Sequence, residues 1–551
     1  MENTQNDKAI KKMAKDHKIL AVNSIFSFFH SYSGFIFSIL SSVLIARMIS
    51  QDLWGYILLS LSSVNIFALI LSFLPPSLGL SLNYYIPRYR ALNQSNTLKS
   101  FVKYTLLIRV IFSILIFSLS IFLFYFWTDL FNINLESYSH LFLIFSPLIL
   151  IFGLDKILND IIRAFNMFKM VFYLLILKNL LYIGGLFIYF LVFNTFTAEV
   201  IAVINLISNF IPFLCNIIIV FVVFKSRLKK TQDKEMTLRQ AAIKMFSYGI
   251  PLSFKDFADG FYKQLKVQLV GIFASPEVVL GYSIGNNYNN VSFEAVISLG
   301  KPLTIAFSSL YAKEKKEEIS KIYRVSYFYS VFLILLISGL LFFVADFFLF
   351  IVYGESYLEY SLILKLMVIA IIFNVQGSFF FSLMRASNKV KYLFPISIAV
   401  ISVRLSMFLI GLVFFGIIGA IMIGIFFANI LIFLFLLGLT IKFFDLRLNL
   451  FKVFMQYIIF FISLIIPIVL NLLILDNVKL LILGSLNLLV LRTFDIFGIL
   501  IFLFCFFIFN LIFQIFTRKD IDYLIAFFSK DNKVHKLIRK FLGFFKRFMR
   551  E

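Results

Sequence analysis

Between Pro251 and Lys301 an apolar stretch of the chain carries Lys255, Asp256, Asp259, Lys263 and Lys266. It turns at Ala274-Ser275-Pro276-Glu277 and continues through Asn286, Asn287, Asn289, Asn290, Glu294 and Lys301. At about 100° per residue, Lys255, Asp259, Lys263 and Lys266 fall within a quarter-turn of one another. Asn287, Asn290, Glu294, Ser298 and Lys301 share a face of the returning segment in the same way. Charge in hydrocarbon is costly, so it faces a bundle interior or a watery cavity, where it serves a substrate or an ion. A structural network of Lys and Asp locking two helices together is the competing reading. Five charges in one helix exceed what a single interhelical bond needs.

The elements that carry these groups follow from composition. The chain has 551 residues, 61% of them hydrophobic, with 75 Phe and a mean hydropathy of +0.97. That is an all-α polytopic membrane protein. About 14 apolar runs recur from Ile19 to Phe516, each long enough to cross as a helix. None shows the short alternating pattern of a membrane β-barrel. The first run follows Lys8, Lys11, Lys12, Lys15 and Lys18, is too long for a signal-peptide core and has no small-residue cleavage site, so it is expected to remain. Cys215 and Cys505 sit alone in apolar runs and the four His are scattered, so no disulfide framework, metal site or cofactor is expected.

In chain order, the first segment carries Asn23, Ser27, His30, Gly34, Ser38 and Ser41 on one face, which suits close packing and cavity lining equally. Pro75-Pro76 interrupts the second and Arg109 lies in the third. Segment four ends with Asp155, Lys156, Asn159, Asp160 and Arg163, which the pattern places at the membrane surface. Segments five and six hold Lys178 and little else that is polar. Residues 225–240 form a basic interlobe linker. Asp346 and Lys365 read as interface anchors near span ends, Arg404 lies in segment eleven, and two further segments follow segment twelve.

Most of the 51 Lys and Arg fall in alternate loops, while the opposite loops hold Arg47, Lys479 and Arg492. Both termini are therefore expected in the cytoplasm of a cell-membrane protein. The net charge of +23 follows this loop pattern rather than a basic domain, so no nucleic-acid partner is expected. An internal repeat is visible: Ser50 to Tyr56 parallels Ser275 to Tyr282, and Arg163-Ala164-x-Asn166 parallels Arg385-Ala386-x-Asn388. Six spans separate the copies, so the halves share an orientation and are related by a pseudo-twofold along the membrane normal. The organisation that follows is a basic N-terminus (1–18), a six-helix lobe (19–224), the linker (225–240), a second six-helix lobe (241–440), helices 13 and 14 (441–516) and a basic tail (517–551). Two such lobes suit a transporter with its site between them. The tail has apolar and basic arcs from Lys533 to Arg550 and is expected to lie on the anionic inner leaflet. No GxxxxGK[ST] occurs and no soluble segment is long enough for a catalytic domain, so the chain is not read as an enzyme.

The chain resembles the polysaccharide and oligosaccharide flippases of the multidrug/oligosaccharidyl-lipid/polysaccharide exporter (MOP) superfamily over about residues 19–525. The resemblance rests on Ala46-Arg47 before a turn ending Gly55-Tyr56, Gly281-Tyr282 in the second-lobe turn, and Ser309-Leu310-Tyr311-Ala312. Gly354-Glu355-Ser356-Tyr357 and Lys519-Asp520 add to it. Where the family often has Leu-Gly-Pro, this chain has Ile49-Ser50-Gln51. The resemblance implies that a polyprenyl (pyro)phosphate-linked oligosaccharide is turned from the cytoplasmic to the outer leaflet by alternating access. On that reading Lys255, Lys263, Lys266, Lys301 and Arg404 bind the phosphate, and Asp256, Asp259, Asn287, Asn290 and Glu294 contact sugar or couple an ion. Membrane lipids and other glycan-assembly proteins are the further partners it implies. An ion-coupled small-molecule exporter and a membrane-embedded glycan polymerase or transferase are the alternatives.

Overall fold

The computed structural model describes residues 30–515 other than 31–32, 35, 75–77, 132–134, 166, 194–196, 228–230, 313, 315, 388, 390–391, 447, 482–487 and 514. At 72, 80, 84, 91, 125–131, 135–138, 227, 247–256, 294–306, 308–309, 312, 474–481 and 488–496 it describes the backbone alone. The basic N-terminus and the amphipathic tail therefore lie outside the described residues.

Every described regular element is a helix, as expected where hydrocarbon offers a backbone no other partner. The chain divides into two compact units, Met1–Leu280 with Lys391–Ile401 and Gly281–Val390 with Ser402–Glu551. The first unit contains α1 (Ile36–Ala46), α2 (Gln51–Phe73), α3 (Leu78–Ala91), α4 (Ser95–Phe131), α5 (Leu135–Phe145), α6 (Pro147–Ala164), α7 (Phe168–Phe193), α8 (Ala198–Arg227), α9 (Leu238–Phe273) and the start of α10 (Pro276–Ala312). The second holds the rest of α10, then α11 (Lys316–Val352), a 3-10 turn (Glu355–Tyr360), α12 (Ser361–Ala370), a second 3-10 turn (Ile372–Asn374) and α13 (Val375–Ala386). It continues with most of α14 (Leu393–Ile421), a π-helical turn (Met422–Phe427), α15 (Ala428–Phe444), α16 (Leu450–Leu481) and α17 (Leu488–Ile512).

Among the described residues, nine stretches are long and apolar enough to cross a membrane. One of them, Leu393–Phe444, is two crossings. Gly416 has φ +64, a conformation that costs glycine little, and the Gly411 and Gly419 backbones touch, so the chain folds back on itself there. Adding α1, α17 and the more polar α9 and α10 brings the crossings to the expected 14 or so.

The repeat seen in the sequence recurs in the hydrogen bonds. Ser50 Oγ accepts from the Leu53 N–H at the start of α2, and Ser275 Oγ from the Val278 N–H at the start of α10. At the other pair, Phe165 N–H bonds Ile161 O and Met167 N–H bonds Ile162 O; Ser387 N–H bonds Leu383 O and Lys389 N–H bonds Met384 O. The two Ser turns also pack together, since a Cβ at Gly55 would overlap the Pro276 carbonyl.

A capping box of Thr237 and Gln240 starts α9, which then runs along α2. Ser62 Oγ donates to Gln264 O at 3.0 Å, Gln268 Nε2 donates to Leu59 O at 2.8 Å, and Phe73 stacks on Phe257. The linker before α9 is tied down too. Asp233 accepts from the Asn96 N–H (3.3 Å), the Thr97 N–H (2.7 Å) and the Thr97 hydroxyl (2.7 Å), so it caps α4 from a distant part of the chain. Burial opposes its charge, but the hydrogen bonds from Thr231, Thr97 and Asn96 outweigh that and hold the carboxyl well below its ordinary 3.8. A depressed folded value adds stability that is complete above the unfolded range and is lost as the pH falls through it toward the folded value. Asp233→Ala is therefore expected to destabilise the neutral-pH protein by about 1 kcal/mol, a typical cap. Thermal melts should show the gap to wild type closing as the pH drops below about 4.

Candidate functional site

The sequence-derived candidates fall in both units. On α9 the face that meets α2 carries Phe257, Gly260, Gln264, Gln268 and Gly271, and the Lys stripe lies on the other side of the helix. Asp259 and Lys263 are exposed, whereas Lys266 is buried with its ammonium 4.7 Å over the Tyr262 ring. On α10, Asn287 is exposed and Asn290 half-buried. The side chains of Lys255, Asp256, Glu294 and Lys301 are outside the described residues.

Arg404 belongs to a polar centre in the second unit. The crossing Glu355–Ala386 is broken near its middle, between α12 and α13, which leaves backbone carbonyls without a helical partner. Neighbouring helices fill the gap: Asn429 Nδ2 donates to Ala370 O at 2.9 Å and the Tyr457 hydroxyl to Ile372 O at 3.3 Å. Arg404 Nη2 donates to Asn374 Oδ1 at 2.9 Å and to Asn429 Oδ1 at 3.2 Å. Both partners are neutral amides, and among the described residues Arg404 has no carboxylate. Among the described residues its charge is oriented but not cancelled. Broken helices at membrane depth are where transporters place binding groups, and a π-helical turn directly precedes α15, which carries Asn429. Asp346 and Lys365 stand apart from this centre. They pair with each other at 2.5 Å, so they are an ion pair rather than two separate interface anchors.

A third polar site was not foreseen. In the first unit His30, Asp155, Asn159, Arg163, Lys178, Asn209 and Asn216 line a cavity of about 200 Å³, with Phe152, Leu174 and Pro212 among its apolar walls. Asp155 accepts from Asn216 Nδ2 at 2.6 Å and from Asn159 Nδ2 at 2.8 Å. Arg163 reaches Asp160 at 3.9 Å and His30 Nε2 at 3.5 Å. Asp155 lies about 14 Å along α6 from its end and Lys178 about 15 Å along α7 from its start, roughly half the hydrocarbon thickness. The surface placement expected for the end of segment four thus holds poorly for Asp155, which turns into the unit. The signal was available: Asp155, Asn159 and Arg163 recur every four residues on one face, and Asn209 and Asn216 do so every seven on α8.

A helical bundle with fourteen or so crossings, polar groups at membrane depth and broken helices has the architecture of a membrane transporter. The profile of the family described as "Polysaccharide biosynthesis protein" matches residues 20–301, just over half of the chain, and the protein belongs to that family. No curated protein matches it. Among solved structures it is similar to one titled lipid II flippase MurJ, inward closed conformation, at TM-score 0.65 and 16% identity, covering 89% of this chain and 98% of that one. It is also similar to an inward-facing multidrug resistance MATE family transporter of the MOP superfamily, at TM-score 0.61 and 14% identity, covering 75% and 95%. The Vibrio cholerae MATE transporter VcmN in its bent form follows at TM-score 0.52 and 16% identity, covering 78% and 97%. At these identities the likeness is one of fold: this chain has the fold of MOP-superfamily transporters.

Proposed function

We propose that the protein is a flippase that moves a polyprenyl (pyro)phosphate-linked oligosaccharide from the cytoplasmic to the outer leaflet of the cell membrane by alternating access of two lobes. Both termini are cytoplasmic on this reading, and the basic tail rests on the anionic inner leaflet. The observation that carries the proposal is Arg404, a cation at mid-membrane held by two amide oxygens. A guanidinium in that state retains its attraction for an oxyanion, and the carrier lipid's phosphate supplies one. Membership of a polysaccharide biosynthesis family and the fold shared with a lipid II flippase support the same reading. Lys255, Lys263, Lys266 and Lys301 are assigned to the phosphate as well, and Asp256, Asp259, Asn287, Asn290 and Glu294 to the sugar or to a coupling ion.

The test is leaflet exposure of a labelled lipid-linked oligosaccharide in proteoliposomes, beside efflux of cationic dyes. Wild type is expected to expose the glycan lipid, and a Lys263→Ala/Lys266→Ala variant that inserts normally is expected to do so at least about tenfold more slowly. Dye efflux without glycan exposure, across several carrier lipids, overturns the flippase reading in favour of small-molecule export.

A further inference from the structure

The cavity of the first unit contains a carboxylate and an ammonium that act on each other without touching. Asp155 and Lys178 both line it and interact electrostatically. Among the described residues Lys178 makes no hydrogen bond and no direct ion pair, and its ammonium sits 5.6 Å from the centre of the Phe152 ring. An uncompensated ammonium at this depth is expensive, so the nearby carboxylate has to supply its balance.

The oxygens around Asp155 would otherwise suit a small hard cation. Its two carboxylate oxygens lie beside Asn159 Oδ1, which accepts from Asn216 Nδ2 at 3.4 Å, and among the described residues Asn216 Oδ1 has no donor. Oxygen donors of this kind select alkali and alkaline-earth ions rather than transition metals. A cation placed there would meet the like charge of Lys178 in a medium where such repulsion is weakly screened.

We infer that Lys178 is a tethered counter-ion that fills the electrostatic place of an exchangeable cation at Asp155, so that a monovalent-cation site is latent in the first unit and is opened by removing the lysine charge. The groups that face Asp155 are His30 from the first segment, Asn159 and Arg163 from α6, Lys178 from α7 and Asn216 from α8. Arg163 already has Asp160 and also reaches His30 Nε2 at 3.5 Å. Lys178 is thus the cation assigned to Asp155.

The experiment uses the full chain in lipid nanodiscs. Thermal stability is compared in NaCl and in N-methylglucamine chloride at equal ionic strength, together with binding of radioactive Na⁺, for wild type, Lys178→Met and Lys178→Met/Asp155→Asn. Wild type is expected to melt at the same temperature in both salts. Lys178→Met should gain stabilisation that grows with Na⁺ concentration, and the double variant should lose it. If a proton competes with Na⁺ at the bared carboxyl, Lys178→Met becomes less stable as pH rises while the double variant does not, which supports the same role. Should Lys178→Met fail to fold, Lys178→Gln is measured in its place, with Lys178→Arg expected to match wild type. A Lys178→Met or Lys178→Gln protein indifferent to both Na⁺ and pH overturns the inference. So does Na⁺-specific stabilisation of wild type that Asp155→Asn abolishes.

Discussion

Replacing Arg404 by methionine is expected to slow glycan-lipid exposure by one to two orders of magnitude while leaving a folded, membrane-inserted protein. The guanidinium makes two charge-assisted hydrogen bonds to amide oxygens, at 2.9 and 3.2 Å. Each such bond is worth about 1.5–3 kcal/mol, and a bond to substrate phosphate falls in the same range. Loss of one phosphate contact therefore corresponds to roughly a ten- to hundredfold change in rate or affinity. The break between α12 and α13 does not depend on Arg404 alone, because Asn429 and Tyr457 donate to the carbonyls at Ala370 and Ile372 independently. That is why folding should survive when transport does not. Arg404→Lys keeps the charge but not the two-pronged geometry, and is expected to fall between methionine and wild type. Comparing rates at low and saturating lipid substrate separates a binding defect from a slower conformational step. Wild-type exposure rates in Arg404→Met, across substrate concentration, would remove this residue from the phosphate site.

The architecture was legible because membrane helices advertise themselves. Twenty-residue apolar runs, alternating loop charge and the paired motifs at Ser50 and Ser275 specify crossings and repeat without any tertiary information. Arg404 was legible as a charge within a span, but the sequence left open whether it meets an anion, pairs with an acid or reaches the interface; its two amide partners come only from the structure. What could not be read is which way polar groups turn near span ends. Asp155 sits close enough to Asp160 and Arg163 to look like the start of a cytoplasmic loop, yet it bonds Asn216 on α8 while Asp160 stays with Arg163. The choice is made by Asn216, 61 residues further on: the spacing of Asp155, Asn159 and Arg163 and that of Asn209 and Asn216 mark two polar faces, but nothing local encodes that the two meet. Lys178 was hidden by its isolation, since a single lysine in an apolar run has no period. The stripe on α9 shows the opposite case. Its period was correct, but a shared helical face does not fix burial, and the stripe runs from exposed Lys263 to buried Lys266.

The second large effect belongs to Arg109, and it should appear in stability. This arginine on α4 is only 2% exposed, and the proline pair that interrupts segment two explains why it is there. In a continuous helix the Leu71 carbonyl would accept from the N–H four residues on, but that residue is Pro75, which has none. Arg109 Nη1 donates to Leu71 O instead, and Nε donates to Gly153 O on α6 at 2.9 Å. One guanidinium thus joins α2, α4 and α6 and satisfies an acceptor that the proline leaves open. Asp160 acts on it only at a distance, since its direct partner is Arg163. Arg109→Met strips both donors and leaves the Leu71 carbonyl without the partner that replaces the missing Pro75 N–H, and a buried polar group left unsatisfied costs about 1–3 kcal/mol. The expected result is a marked drop in melting temperature and in the yield of monodisperse protein. Arg109→Lys, which can reach one carbonyl but not both, should lose less. The effect on transport should track the folded fraction, so that the rate per folded molecule stays near wild type. A variant that melts like wild type would mean that the Leu71 carbonyl finds another donor, and that the arginine is not the link between these three helices.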